Sequence, residues 1–181
     1  FAVLGTLNNT LSCSNMDMSS KQGDKAILDC IPSFTSEKDT ITFTYKKPIP
    51  QTIDLSNCPD LGPILCVLAS YTNGETNIVN AARLRMKESD RIEAMETELK
   101  KWGVYITSTF DSIQIHGKEL YKSDNTIEIF GHNDHRIVMA MTVFGLCADS
   151  ECIIDDAQAI TKSYPTFFED IQSLGGKVEI L

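Results

Sequence analysis

Four short stretches of the chain carry side chains that could act together on a charged small molecule. The first is the run Arg83-Leu84-Arg85-Met86-Lys87-Glu88-Ser89-Asp90-Arg91, which opens a helical pattern. At about 100° per residue, Lys87, Glu88 and Arg91 would share one face of the first turn. Cations at the positive end of a helix oppose its dipole, so this placement costs stability unless an anion meets them. Two readings fit these residues: an anion site, or an exposed helix start where Lys87 and Arg91 pair with Glu88 and Asp90. The second stretch, Asn133-Asp134-His135-Arg136, precedes a strongly apolar run. Asp134 suits an N-cap, and an unpaired Arg136 would be costly there. Its fork matches a structural carboxylate or a bound carboxylate or phosphate equally well. In Cys58-Pro59-Asp60 the acid is either a dipole-favoured first-turn residue or a carboxylate turned to the same site. In Lys162-Ser163-Tyr164-Pro165, Ser163 could cap a helix and Lys162 could be ordinary surface.

What joins these weak signals is the pattern of elements that must position them. One grammar is used three times along the chain. In the middle copy, Thr52 to Ser56 reads as a strand, Pro59 to Ser70 as a helix and Glu75 to Asn80 as a strand. Glu88 to Trp102 then places Ile92, Met95, Leu99 and Trp102 on one helical stripe, ended by Gly103. Val104 to Thr109 and Ser112 to His116 follow as a hairpin, giving βαβαββ. The third copy reads as a strand over Thr126 to Phe130, a helix over Asp134 to Cys147, a strand over Cys152 to Ile154 and a helix over Pro165 to Leu174. Gly175 and Gly176 stop that helix, and Lys177 to Leu181 is read as a strand. The first copy starts inside its opening helix, with a strand at Thr10 to Ser14, a helix at Gln22 to Ile31 and a late strand at Ile41 to Tyr45. The expected organisation is one α+β lobe: a partial unit 1–50, a complete unit 51–120 and a unit 125–181 lacking its last strand. A repeat losing one piece at each end suggests a lobe cut from a longer protein rather than a circular fold completed by its own termini, which would look similar. The first helices of the second and third copies are apolar nearly all round, so they belong at the centre. Their N-termini would share one rim, where anions are attracted. Gathered there, Asp60, Lys87, Glu88, Arg91, His135, Arg136 and Lys162 point to a polyanion site with one or two acid/base groups.

Composition narrows the class of ligand. The 181 residues carry 16 Lys+Arg against 25 Asp+Glu, a formal charge of -9. That balance argues against nucleic acid or an anionic membrane surface as a partner. With 42% hydrophobic residues the chain can build a real core. Its most apolar stretch, Ile137 to Ala148, falls well short of the ~20 residues that cross a bilayer. The six cysteines show no CxxC spacing, and four lie in apolar stretches, so free thiols in a reducing cytoplasm are expected. Three histidines, none grouped with cysteine at zinc-ligand spacing, give no reason to assign a metal.

At these residues the sequence resembles the 5-enolpyruvylshikimate-3-phosphate (EPSP) synthase family. RLRMKESDRIEAMETELKKWG (Arg83 to Gly103) is similar to its R-x-K-E-[ST]-D-R-[IL] signature. NDHRIVMA (Asn133 to Ala140) is similar to its [ND]-D-H-R-x-x-M element, and TKSYPTFFEDIQSLGG (Thr161 to Gly176) to its K-[ST]-[FY]-P-x-[FY]-[FW] segment. SSKQGD (Ser19 to Asp24) and NCPDLGP (Asn57 to Pro63) match weaker elements. The resemblance implies an inside-out α/β barrel lobe of an enolpyruvyl transferase, with a second, N-terminal lobe beyond this chain and no turnover by this lobe alone. It implies transfer of the enolpyruvyl group of phosphoenolpyruvate to the 5-hydroxyl of shikimate 3-phosphate, with no metal or organic cofactor and with glyphosate as inhibitor. It further implies that Asp60 is the base and binds the shikimate ring, and that Glu88 is the carbon acid/base. Lys87 would contact shikimate 3-phosphate, Arg91, Arg136 and Lys162 would hold phosphoenolpyruvate, and His135 would support the site. Arg83 stands where the family has a shikimate-contacting Asn, so no role carries over to it. Two alternatives remain: the sister transferase acting on UDP-N-acetylglucosamine, and a non-catalytic lobe that binds anions.

Overall fold

The computed structural model describes residues 1–180 of the chain. In chain order the elements are α1 (Ala2–Leu7), β1 (Leu11–Cys13), α2 (Ile27–Cys30), β2 (Phe34–Glu37), β3 (Thr40–Phe43), β4 (Thr52–Asp54), α3 (Gly62–Ser70) and β5 (Gly74–Val79). They continue with α4 (Arg91–Lys101), β6 (Tyr105–Ser108), β7 (Ser112–Gly117), β8 (Ile127–Ile129), α5 (His135–Cys147), β9 (Cys152–Ile154) and α6 (Phe167–Ser173). Short 3-10 segments at Gly23–Ala26, Pro59–Leu61, Ala82–Met86 and Ala157–Lys162 lead into helices or turns.

The centre of the fold is helical because α3 and α5 are apolar on every face, and only neighbours on all sides can bury such helices. They pack against each other and against α1. Their few hydroxyls turn back on the helix itself: Ser70 Oγ donates to Cys66 O at 2.8 Å, and Thr142 Oγ1 donates to Val138 O at 2.8 Å. Neither leaves an unmet polar group in the core. An aromatic cluster of Tyr71, Trp102, Tyr121 and Phe144 seals the far end, with ring centroids 5.0 to 5.3 Å apart. The buried Tyr71 hydroxyl donates to Phe144 O at 2.9 Å, tying the end of α3 to α5.

Three small sheets lie around these helices. The largest runs β4-β5-β7-β6, with β4 parallel to β5 and the other pairs antiparallel. Its inner face presents Ile53, Ile78, Ile106, Ile113 and Ile115, all buried. The second sheet is β1-β3-β2, all antiparallel, and the third pairs β8 with β9 in parallel. A second apolar cluster joins Phe167, Phe168 and Ile171 of α6 to Ala159, Ile160 and Val138. It seats the segment ending in Lys162 against α5.

Several elements differ from the sequence reading. The helix expected from Glu88 begins at Arg91, because Asp90 Oδ1 accepts from the N–H groups of Ile92 and Glu93, each at 3.1 Å, and ends the preceding loop. Lys87 and Glu88 therefore precede α4 and do not lie on its first turn. Its end is as expected: Gly103 sits at φ +72, Gly103 N donates to Lys100 O and Val104 N to Leu99 O, which together close the last turn. The helix expected over Gln22 to Ile31 is a 3-10 turn followed by the four residues of α2. The last helix starts at Phe167, so Lys162 ends a 3-10 segment and does not open that helix. Residues 177–180 form no strand, and Leu181 lies outside the described residues. Strand β2, paired with β3, was not foreseen.

Candidate active site

The 3-10 segment at Pro59–Leu61, the loop before α4 and the start of α5 meet at one rim. Their side chains form a single charged network centred on Arg91, whose side chain is only 1% exposed. Its Nε donates to Asp134 Oδ2 at 2.8 Å and its Nη2 to Asp134 Oδ1 at 3.1 Å. Nη2 also donates to Glu88 Oε2 at 2.5 Å, and Nη1 to Asp60 Oδ1 at 3.0 Å. One guanidinium thus holds three carboxylates, and it fixes Asp60 and Glu88 on neighbouring nitrogens. Asp60 meets two further cations: Lys87 Nζ lies 3.0 Å from Oδ1, and Arg136 Nη2 lies 3.4 Å from Oδ2. Arg136 Nη1 also donates to the Asp60 carbonyl at 3.0 Å, and its Nη2 is 3.7 Å from Asp24 Oδ2.

The local sequence explains this convergence. Asp134 caps α5 by accepting from Arg136 N at 2.9 Å, while both its oxygens also hold Arg91. Ser89 Oγ donates to the same carboxylate at 3.0 Å. Before α5, His132 and Asn133 take left-handed conformations, φ +54 and +49. That turn points both the carbonyl and Oδ1 of Asn133 at Lys162 Nζ, at 2.5 and 3.0 Å. Lys162 therefore joins the rim through Asn133.

Burial alone would raise the Asp60 carboxyl, but the bond from Lys87 and the charges of Arg136, Lys87 and Arg91 outweigh it and hold the group below its ordinary value. Asp134 follows the same logic: burial pushes it up, and Arg91, the Arg136 N–H and Ser89 together bring it below. Both are carboxylates at neutral pH. His135 goes the other way; burial lowers its imidazole, only partly opposed by Asp134 and Glu88, so the ring is neutral at pH 7. Its Nδ1 is buried without a hydrogen-bond partner and lies 3.9 Å from Glu88 Oε1. An unmet polar atom at a charged rim is where a ligand group or water is expected.

All seven residues singled out from the sequence reach this rim. Asp60 and Glu88, with side chains 36% and 41% exposed, are its open acid/base candidates. Sequence reasoning missed the second duty of Asp134 and the parts played by Ser89, Asn133 and Asp24. The hint was available in Asn133-Asp134, an acid that could serve more than its own helix. Arg83 stands exposed on the Ala82–Met86 turn. Among the described residues no group of His, Cys, Asp and Glu is arranged to hold a metal ion, and no helix is long and apolar enough to cross a membrane.

This fold matches that of EPSP synthase from Acinetobacter baumannii with a TM-score of 0.84 and 25% identity, covering 98% of this chain and 45% of that one. It also matches the enolpyruvyl transferase NikO from Streptomyces tendae, TM-score 0.80 at 17% identity, over 98% of this chain and 42% of that one. The class is thus a mixed α/β fold of the kind seen in EPSP synthase and an enolpyruvyl transferase, and among the described residues no sheet closes into a barrel. The family model described as EPSP synthase (3-phosphoshikimate 1-carboxyvinyltransferase) matches residues 1–171, and the chain belongs to that family. A 3-phosphoshikimate 1-carboxyvinyltransferase from Clostridium acetobutylicum is 44% identical over 176 residues, 96% of this chain. The alignment takes in 40% of that relative, so the chain spans about two fifths of the length of the curated relatives it matches.

Proposed function

We propose that this chain is one lobe of an enzyme that moves the enolpyruvyl group of phosphoenolpyruvate onto the 5-hydroxyl of shikimate 3-phosphate, releasing phosphate. The observation that carries the reading is the Arg91 guanidinium holding Asp60 and Glu88 side by side. The reaction needs a base at a hydroxyl and an acid at a carbon a few ångströms away. Asp60, kept ionised by its cations, takes the hydroxyl proton as the oxygen bonds to C2 of phosphoenolpyruvate. Glu88, entering the reaction protonated, gives its proton to the methylene carbon and takes one back as the C–O bond to phosphate breaks. Lys162 serves as a second acid for the departing phosphate. Arg136 and Arg91 bind the phosphoenolpyruvate anion, Lys87 meets shikimate 3-phosphate, and the neutral His135 hydrogen-bonds within the site.

The lobe is built from three related units, 1–50, 51–120 and 125–181. In support, β1-β3-β2 repeats the strand order of β5-β7-β6, and the parallel pair β8-β9 repeats β4-β5. A second, N-terminal lobe of the same protein completes the substrate cleft, and the complete enzyme works in the cytoplasm. The length of the relatives supports the missing lobe.

A second reading, a non-catalytic lobe, is favoured by one observation. Lys87, Arg91 and Arg136 are balanced at the rim by Asp60, Glu88 and Asp134. Calorimetry of the isolated chain with each substrate, beside a turnover assay of the full-length protein, separates the two. Turnover by the full-length protein with both substrates supports the enzyme. No turnover and no heat from either ligand would sink it.

A further inference from the structure

The α5 rim hangs on a turn that ought to be unstable. His132 and Asn133 are consecutive non-glycine residues in the left-handed region. This region is unfavourable for any residue with a Cβ, less so for Asn and His than for most, and a pair in succession persists where its surroundings hold it. The same turn delivers Asn133 to Lys162, Asp134 to Arg91, and His135 and Arg136 to the rim.

One side chain that stands outside the rim supplies two of its fastenings. Glu98, on the inner face of α4 and 1% exposed, accepts from Phe130 N at 3.0 Å through Oε2 and meets His132 Nε2 at 3.1 Å through Oε1. Lys101 Nζ lies 2.7 Å from Oε2 and also donates to Glu128 O at 3.0 Å, so the buried charge is matched. The other ties are Asn133 N to Asp156 Oδ2 at 2.9 Å and Asp134 N to Gly131 O at 3.0 Å. At Gly131 a Cβ would overlap the Asp155 carbonyl, so the turn is pressed against the β9 side as well. A buried ion pair is seldom the most stable filling for such a position, since apolar residues of similar volume often do as well or better. What Glu98 adds beyond filling is direction: two bonds that fix where the turn begins.

We propose that Glu98 is a positioning residue that, through His132 and the Phe130 N–H, clamps the turn carrying Asn133 and so sets Lys162 and the first turn of α5 for phosphoenolpyruvate. The substrate part of this statement rests on the function proposed above; the clamp itself does not.

The test uses the full-length protein with Glu98→Leu, which keeps the volume, and Glu98→Gln, which keeps an acceptor for Phe130 N–H. In Glu98→Leu the KM for phosphoenolpyruvate rises about tenfold to a hundredfold, while the KM for shikimate 3-phosphate stays within about twofold; Glu98→Gln recovers much of the loss. Trace acylation mapped by mass spectrometry gives a readout independent of turnover. Lys162 reacts severalfold faster in Glu98→Leu relative to the exposed Lys47 and Lys122, and near the wild-type rate in Glu98→Gln. Should Glu98→Leu fail to fold, His132→Ala, altering a partly exposed ring, shows the same direction in both readouts. Lys162 reactivity unchanged in a folded clamp variant overturns the proposal, as does a KM rise shared equally by both substrates. A wild-type protein that turns over neither substrate sinks the assigned reaction, and the acylation ratio still decides the clamp.

Discussion

Arg91 and Asp134 meet through two parallel bonds across the junction of α4 and α5, Nε to Oδ2 at 2.8 Å and Nη2 to Oδ1 at 3.1 Å, with both side chains almost wholly out of water. The N-cap of α5 is thereby the anchor of α4. Removing either partner alone strands a buried charge, at a cost of about 3–5 kcal/mol. Arg91→Met and Asp134→Leu singly should lower the melting temperature by on the order of 10 °C, and the double variant should recover much of it. Thermal unfolding followed by circular dichroism checks this; singles that melt like wild type would show the pair to be dispensable.

The same pair contributes to the acid limit of the fold. Asp134 titrates below its unfolded value, so its contribution is complete above about pH 4 and drains away as pH falls through the lower, folded value. Urea midpoints of the wild type should therefore fall below about pH 4. Asp134→Asn should be weaker at neutral pH and flatter across that window.

For Asp60, Lys87 is the first of the cations that offset burial. Lys87→Met removes that bond and lets the desolvation of the carboxyl weigh more, so its titration should move upward. In the full-length enzyme the acidic limb of kcat/KM should shift to higher pH. A limb that stays in place while the rate falls would mean Asp60 is not the group being read.

Glu88 should matter to turnover far more than to folding. Its side chain is 41% exposed, and losing a solvent-screened pair costs at most about 1 kcal/mol. Glu88→Gln should reduce kcat by about 10²–10⁴ with a nearly unchanged melting temperature. Equal losses in both would recast Glu88 as scaffold.

Thiol chemistry offers a probe of the core. Burial pushes the Cys66 and Cys147 thiols up to about 12, whereas Cys13 is raised less and lies nearer the surface. At pH 8 a thiol reagent should modify Cys13 early and Cys66 only at the rate of unfolding. Prompt labelling of Cys66 in the folded chain would contradict the packing of α3.

Much of the rim could be read directly from residue order, because helices announce themselves by period and the charged residues sit at or before their starts. The stripe Ile92, Met95, Leu99, Trp102 with Gly103 after it needed nothing else. What stayed hidden was set by contacts between distant residues. Glu88 continues a helical pattern on paper, yet Asp90 captures two N–H groups and starts the helix later. Strand β2 has only Phe34 half-buried and no inward alternation, so its pairing with β3 left no trace in hydropathy. Asp134 looked like a cap and is also a buried counterion; Glu98, which the stripe of α4 gives no reason to single out, is among that helix's most enclosed side chains.

The pairing of Lys87, Arg91 and Arg136 with Asp60, Glu88 and Asp134 has a kinetic consequence. On the function proposed above, a phosphate-bearing metabolite approaching a chain of charge -9 feels repulsion at long range and, from these three cations, little attraction until it touches the guanidinium forks. Capture at this rim is then a short-range event, and moderate salt, by screening that repulsion, should leave the encounter rate unchanged or quicken it.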